Sequence, residues 1–308
     1  MNQQRHYRIA IACGGTGGHL FPGVAVGEVL AERGHAVLLI ISEKRIDEIA
    51  VAGHDEFSVR KLESVAMPRV YSPAIVPFLL RVGGSIARCR ALYREFRPHA
   101  VLGMGGFTST APIVAGRQRG AATFIHESNV IPGKANRLNS RIARRVLLGF
   151  AEAATRFPAK CRTEVTGTPV RAALGQPLPQ ARARAGFEFN GETPVVAVMG
   201  GSQGASGINH ALCRVAPKLA EFGLQIIHLS GERDLGAVRE AYAKAGVRAV
   251  VKAFHHRMVE VYSASDLVIA RAGASSLAEI AHFGLASILI PYPYAADNHQ
   301  LHNAESFA

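Results

Sequence analysis

Twice along the chain a short apolar stretch runs directly into a glycine-rich turn: RIAIACGGTGGH at residues 8–19 and PVVAVMGGSQGA at residues 194–205. A continuous apolar run closed by glycine is the signature of a strand covered on both faces, as in a parallel sheet. Parallel strands need crossovers, and here short β-branched runs alternate with longer segments of helical period. Strands are predicted at Arg8 to Cys13, Ala36 to Ile41, Ala100 to Leu102, Thr123 to Ile125 and Arg145 to Leu148. A second set follows at Val195 to Met199, Gln225 to Leu229, Ala249 to Val251, Leu267 to Ala270 and Ser287 to Pro291. Helices fit between them, as at Gly18 to Arg33, where Leu20, Val24, Val29 and Leu30 fall near one face. The fold class is therefore α/β, in two halves. Gly14, Gly15, Thr16 and Gly18 correspond to Gly200, Gly201, Ser202 and Gly204, a weak internal repeat. The Thr166 to Arg171 segment and the Pro- and Arg-rich Gln176 to Arg184 interrupt the pattern, which places domains at 1–167 and 168–308.

The 308 residues suffice for two cores, and 48% hydrophobic against 19% charged residues excludes a disordered chain. Cys13, Cys89, Cys161 and Cys213 are far apart with no CxxC pair, which fits a reducing compartment. The first residues carry no secretory pattern, and the longest apolar stretches fall well short of the ~20 residues a bilayer requires. The net charge of +12 favours anionic partners. Nucleic acid is the weakest of these, because aromatics make up 7% with no Trp and no zinc-finger, RNP or helix-turn-helix pattern occurs.

GGTGG after a buried strand lets a phosphate or sugar approach the backbone, and the helix that follows offers unpaired N–H groups. The dinucleotide fingerprint fails, since Leu20 and Thr108 stand where its third glycine is required. His19 opens that helix, where the dipole favours the neutral, proton-accepting ring of a general base; a phosphate contact and an ordinary helix-start histidine remain open. A second turn, Gly103 to Ser109, and the polar strand end His126-Glu-Ser-Asn129 lie where open α/β sheets bind ligands. Glu279 sits at capping-box spacing from Ser276, so it either caps its helix or accepts ribose hydroxyls. Asp297 and Gln300 pose the same alternative. His299 and His302, an i, i+3 pair, read as surface residues, and no metal site is expected.

Taken together, GGTGGHLFPG (14–23), GMGGFTS (103–109), HESNVIPGKANR (126–137), GTPVR (167–171), GGSQGA (200–205) and the run from Arg271 to Ala304 resemble the MurG family of peptidoglycan N-acetylglucosaminyltransferases. The motifs occur in order along nearly the whole chain. The resemblance implies a GT-B fold, two Rossmann-like doubly wound parallel-sheet domains facing across a cleft. It implies an inverting transfer of GlcNAc from UDP-GlcNAc to the C4 hydroxyl of MurNAc in lipid I, undecaprenyl-diphospho-MurNAc-pentapeptide, giving lipid II. No cofactor is implied. Carried over by motif, His19 is the base; Thr16, Gly17, Gly18 and Asn129 meet the donor sugar; Arg171 and Ser202 meet the diphosphate, and Gln203 also binds the donor. Phe254 and His255 lie by uracil, Ala274, Ser275, Ser276, Leu277 and Ala278 line the nucleotide, Glu279 binds ribose and Gln300 binds GlcNAc hydroxyls. Gly15, Gly103, Gly105, Gly106 and Glu127 belong to the acceptor side.

The chain departs from that pattern at Ser128, where Gln is usual, at Thr168, where Asn is common, and at His255, where an aliphatic residue is frequent. It stops at Phe307-Ala308 inside a helical pattern, whereas members of the family continue, so the C-terminal part is expected to be truncated. The apolar Ala74 to Leu80, ringed by Arg60, Lys61, Arg69, Arg81, Arg88 and Arg90, suits the anionic inner leaflet of the membrane. The expected location is thus peripheral, on the cytoplasmic side of the bacterial plasma membrane. The rival readings are another GT-B lipid glycosyltransferase and a non-catalytic nucleotide-sugar-binding fragment.

Overall fold

A computed structural model describes residues 5–15, 17–44, 47–48, 51, 53–63, 68, 72–201 and 204–308. Thr16, Arg69, Ser202 and Gln203 lie outside the described residues. The chain divides into two compact units, Met1–Arg171 and Ala172–Ala308. The division falls after Arg171 rather than at 167 because the linking segment packs on the first unit. The Thr166 and Gly167 N–H groups donate to the Leu148 carbonyl at 3.0 and 3.1 Å, and the Arg171 guanidinium lies 4.3 Å over the Phe21 ring.

The first unit is a seven-stranded parallel sheet in the order β3-β2-β1-β4-β5-β6-β7. Its strands are β1 Arg8–Ala12, β2 Ala36–Ser42, β3 Phe57–Leu62, β4 Ala100–Gly103, β5 Ala122–Glu127, β6 Arg145–Leu148 and β7 Thr163–Val165. Strand β1 is central: Ile9 pairs with Val37 of β2 on one side and with Ala100 of β4 on the other. The period of two along β1 divides its side chains between two cores. Ile9 and Ile11 join Leu20, Val24, Leu39 and Met104, with helix α1 (Gly17–Glu32) on that face. Ala10 and Ala12 join Cys89, Tyr93 and Ile113 beneath α2 (Ile75–Phe96) and α3 (Thr110–Gln118).

The second unit repeats the plan with five parallel strands in the order β10-β9-β8-β11-β12. They are β8 Val195–Met199, β9 Gln225–Leu229, β10 Arg248–Lys252, β11 Leu267–Ala270 and β12 Ala286–Leu289. All five residues of β8 are buried, as its unbroken apolar run requires. Two strands escape the sequence reading. In β3 the polar Ser58, Arg60 and Lys61 dilute the apolar signal, and β7 is a fully exposed three-residue edge.

In each unit the strand order reverses beside its first strand, between β1 and β4 and between β8 and β11. In open α/β sheets ligands bind outside the carboxyl ends of the strands at such a switch point. GGTGG leaves β1 and GMGGFTS leaves β4, while GGSQGA leaves β8 and Arg271-Ala-Gly leaves β11. The topology gathers the glycine turns at the carboxyl ends of the strands beside each switch point.

Candidate active site

The first turn is tightly specified by its surroundings. A Cβ on Gly14 would stand 2.2 Å from the Ser42 nitrogen, and Gly15 has φ +115°, so only glycine fits both places. The Gly15 N–H donates to Oδ2 of the buried Asp47 at 2.9 Å. The same oxygen accepts the Ser42 N–H at 3.0 Å and the Ser42 hydroxyl. Lys44 Nζ reaches the Gly15 carbonyl at 2.6 Å, and Thr108 Oγ1 of the second turn donates to the Gly14 carbonyl at 2.8 Å. One internal carboxylate thus occupies the Gly15 amide that a bound anion would otherwise use.

The second turn runs through Gly105 at φ +117° and Gly106 at φ +69°, and it carries His19 against it. A Cβ on Gly105 would come within 2.7 Å of His19 Nε2, and one on Gly106 within 3.5 Å of its Nδ1. The half-buried imidazole, on the third residue of α1, therefore lies along the Gly105-Gly106 backbone at the β1/β4 switch point. Phe107 packs edge-on to Phe78 of α2 at 5.6 Å, which couples this turn to the helix bearing the apolar patch.

Glu127 ends β5 with both carboxylate oxygens engaged in its own loop. Oε1 accepts the Asn129 backbone and side-chain N–H groups at 3.0 and 3.2 Å; Oε2 accepts the Gly133 N–H at 3.0 Å and Asn136 Nδ2 at 2.9 Å. These bonds tie the loop to the start of α4 (Lys134–Asn139) and make Glu127 an organiser of the polar strand end. His126 is buried, which lowers its pKa although the Gly167 carbonyl favours its protonated form. The ring donates from Nε2 to that carbonyl at 2.9 Å and accepts the Ser128 hydroxyl at Nδ1, 3.2 Å away. Ser128 and Thr168 both crowd Gly149: a Cβ there would lie 2.8 Å from the Ser128 carbonyl and 2.6 Å from Thr168 Oγ1.

In the second unit, Gly200, Gly201 and Gly204 turn the chain into α6 (Ser206–Glu221), with α5 (Gln180–Ala185) preceding β8. A Cβ on Gly204 would come within 2.1 Å of the Ser230 carbonyl, which makes glycine obligatory there. A polar network lies behind the turn: Asn209 Nδ2 donates to the Ser230 carbonyl and to Asp234 Oδ2, both at 2.8 Å, while its Oδ1 meets His228 Nε2 at 2.9 Å. His228 Nδ1 contacts the hydroxyl of Tyr242, on α7 (Leu235–Ala245), at 2.9 Å. Burial pushes the His228 pKa down to about 4, so the ring is neutral near pH 7.

Phe254 is exposed, while the His255 ring meets Glu260 Oε2 at 2.9 Å and Lys252 Nζ at 3.4 Å. Its imidazole is committed to neighbours within the unit. After β11, α9 (Ala274–His282) begins at an extended Gly273 with no side-chain cap bond. The capping box read from Ser276 and Glu279 does not form. Ser276 is already the third helical residue, and Glu279 Oε2 instead accepts the Tyr262 hydroxyl at 2.8 Å, from α8 (Met258–Ala264). Ala274 and Leu277 are buried, while Ser275, Ser276 and Ala278 are half-buried. The Asp297 cap fails likewise: α10 (His299–Phe307) follows Asn298 without a side-chain cap. Gln300 Oε1 accepts the Tyr292 N–H at 2.9 Å. Arg271 secures the same loop through the Ile290 and Pro291 carbonyls at 3.1 and 2.9 Å and lies 5.5 Å over the Tyr292 ring. Among the described residues no group of three or more His, Cys, Asp or Glu is arranged to hold a metal ion.

Sequence reasoning missed Asp47, Tyr262 and Asn209 as parts of these sites. Asp47 lies 32 positions from the glycine it fixes, and no local pattern marks such a pairing.

The family model described as glycosyltransferase family 28 N-terminal domain matches residues 9–148, and that of the family's C-terminal domain matches residues 195–308. The chain belongs to glycosyltransferase family 28. Among relatives of this family 28 chain, a Syntrophus aciditrophicus protein is 40% identical over 97% of this chain and 81% of its own length. One from Geotalea daltonii is 38% identical, with the same coverage. Both carry the name UDP-N-acetylglucosamine--N-acetylmuramyl-(pentapeptide) pyrophosphoryl-undecaprenol N-acetylglucosamine transferase. The crystal structure of Acinetobacter baumannii MurG superposes with a TM-score of 0.76 at 27% identity, covering 98% of this chain and 83% of that one. A UDP-GlcNAc 2-epimerase from Neisseria meningitidis bound to UDP-GlcNAc, at 13% identity and a TM-score of 0.62 over 92% and 82%, shares the fold alone. The family 28 chain is a glycosyltransferase of GT-B fold, as its motifs implied.

Proposed function

We propose that this chain transfers GlcNAc from UDP-GlcNAc to the C4 hydroxyl of MurNAc in lipid I, producing lipid II for the cell wall. The observation that carries the reading is its 36–40% identity, over nearly its whole length, to relatives named for that transfer. In this reading the acceptor oxygen attacks C1 of GlcNAc opposite the diphosphate. The new C–O bond forms as the C1–O bond to the β-phosphate breaks, UDP leaves with the electron pair, and the hydroxyl proton passes to His19.

Support for His19 as base is its seat on the Gly105-Gly106 backbone, which holds the ring between the two turns. Gly103, Gly105 and Gly106 take the acceptor diphosphate, and Gly15, already bonded to Asp47, shapes the turn from inside. Glu127 presents Asn129 to the donor sugar, together with Thr16, Gly17 and Gly18. Arg171, Ser202 and Gln203 bind the donor diphosphate. Phe254 with the His255 backbone reads uracil, Ala274 to Ala278 line the nucleotide, Glu279 takes the ribose and Gln300 the GlcNAc hydroxyls. None of these steps calls for a metal ion.

The enzyme works at the membrane surface in this reading. No helix among the described residues is long and apolar enough to cross a bilayer. Instead α2 exposes Val76, Leu79 and Leu80 beside Arg81, a pattern suited to the anionic cytoplasmic leaflet. A donor panel with a lipid I analogue tests the assignment: product from UDP-GlcNAc is expected, and a preference for UDP-glucose contradicts it in favour of another GT-B lipid glycosyltransferase.

A further inference from the structure

Glu279 is a nearly buried carboxylate on the helix that follows β11, at the switch point of the second sheet. A carboxylate taken out of water needs donors held in place, and its direction is fixed by whichever donor is least mobile. The Tyr262 hydroxyl is one such donor. Tyr262 is fully buried in α8, its ring stacks on Phe283 at 5.1 Å, and its hydroxyl donates to Glu279 Oε2 at 2.8 Å. The α9 cap makes no use of Glu279, whose Oε2 reaches across to α8.

We propose that Tyr262 is a positioning residue that aims the Glu279 carboxylate at the ribose hydroxyls of uridine diphosphate, and so sets the preference for a ribonucleotide over a 2′-deoxyribonucleotide donor. The inference rests on the donor reading above, in which Glu279 takes the ribose. It assigns the source of ribose selectivity to a side chain that touches no part of the ligand. A site built to bond a hydroxyl rejects an analogue lacking it, and that rejection weakens when the site's own acceptor is allowed to swing.

Calorimetric titration of UDP and of 2′-deoxy-UDP into the full chain and into Tyr262→Phe tests this. The variant keeps the ring and its contact with Phe283, so packing is preserved. The wild-type chain should prefer UDP. Tyr262→Phe should weaken UDP about tenfold, the scale of one lost bond to a charged group, while 2′-deoxy-UDP, which keeps only the 3′-hydroxyl, should weaken by a clearly smaller factor. In turnover, KM for UDP-GlcNAc should rise while kcat stays nearly constant. Equal weakening of both ligands would mark a merely structural residue and overturn the proposal, as would an unchanged preference. If the wild-type chain binds UDP without favouring it over 2′-deoxy-UDP, the positioning role falls and the donor reading stands. If it binds no UDP, both fall together.

Discussion

At the scale of single residues, the site depends on a few buried polar groups that commit their hydrogen bonds within the protein. Asp47 is the plainest case, since one oxygen accepts from Gly15 and from both the backbone and the hydroxyl of Ser42. Asp47→Ala would leave the Gly15 and Ser42 N–H groups without this acceptor. The expected cost is about 1–3 kcal/mol in urea unfolding, with a loss of turnover because the first turn, which leads into the helix carrying His19, loses its anchor. Asp47→Asn, which keeps an acceptor oxygen, should cost less than the alanine variant; equal losses would mean that the hydrogen bonds carry no weight. Glu127 behaves similarly toward Asn129, Gly133 and Asn136.

Among elements, the strand β9 and the helices α6 and α7 are joined by His228, Asn209 and Tyr242. His228 titrates near pH 4 when folded against about 6.5 for a free histidine. Between these values the unfolded chain binds the proton that the folded chain refuses, so stability falls as pH drops from about 6.5 to about 4 and the loss levels off below that. The full difference corresponds to about 3 kcal/mol. Denaturant unfolding at pH 7 and pH 4 should show this, and His228→Gln should flatten that part of the profile. Helix α2 offers a second test at this scale. Its Leu79 and Leu80 are 58% and 72% exposed while Phe78 is buried. Replacing both exposed leucines by glutamate should cut cosedimentation with anionic vesicles at least about tenfold without lowering the melting temperature. Undiminished binding would place the membrane contact elsewhere.

For the whole molecule, the sequence is most readable where the fold leaves least freedom. β1 and β8 are covered on both faces, so their apolar runs had one interpretation, and the glycines after them mark approaches that a Cβ would block. Edge strands are harder to see: β3 pairs on one side only and keeps Arg60 and Lys61, while β7 buries none of its residues. Helix caps misled for another reason. Ser276 and Glu279 have capping-box spacing, yet a start at Gly273 places Ser276 inside the helix and frees the alternative partner, Tyr262. Local spacing reports which bonds are possible, and tertiary neighbours decide which form. The contacts between Asp47 and Gly15 and between His19 and Gly105 join distant segments, so they emerge only when the sheet order sets β1 between β2 and β4.

The role proposed for His19, seated on the second glycine turn at the β1/β4 switch point, is to take the acceptor's proton. Its most direct measurement is turnover of UDP-GlcNAc with a lipid I analogue by His19→Ala, alongside calorimetric binding of UDP-GlcNAc. Turnover should fall by about 100- to 10,000-fold, the range of a lost general base, while donor binding changes little. Turnover within a few-fold of the wild-type chain would contradict the account.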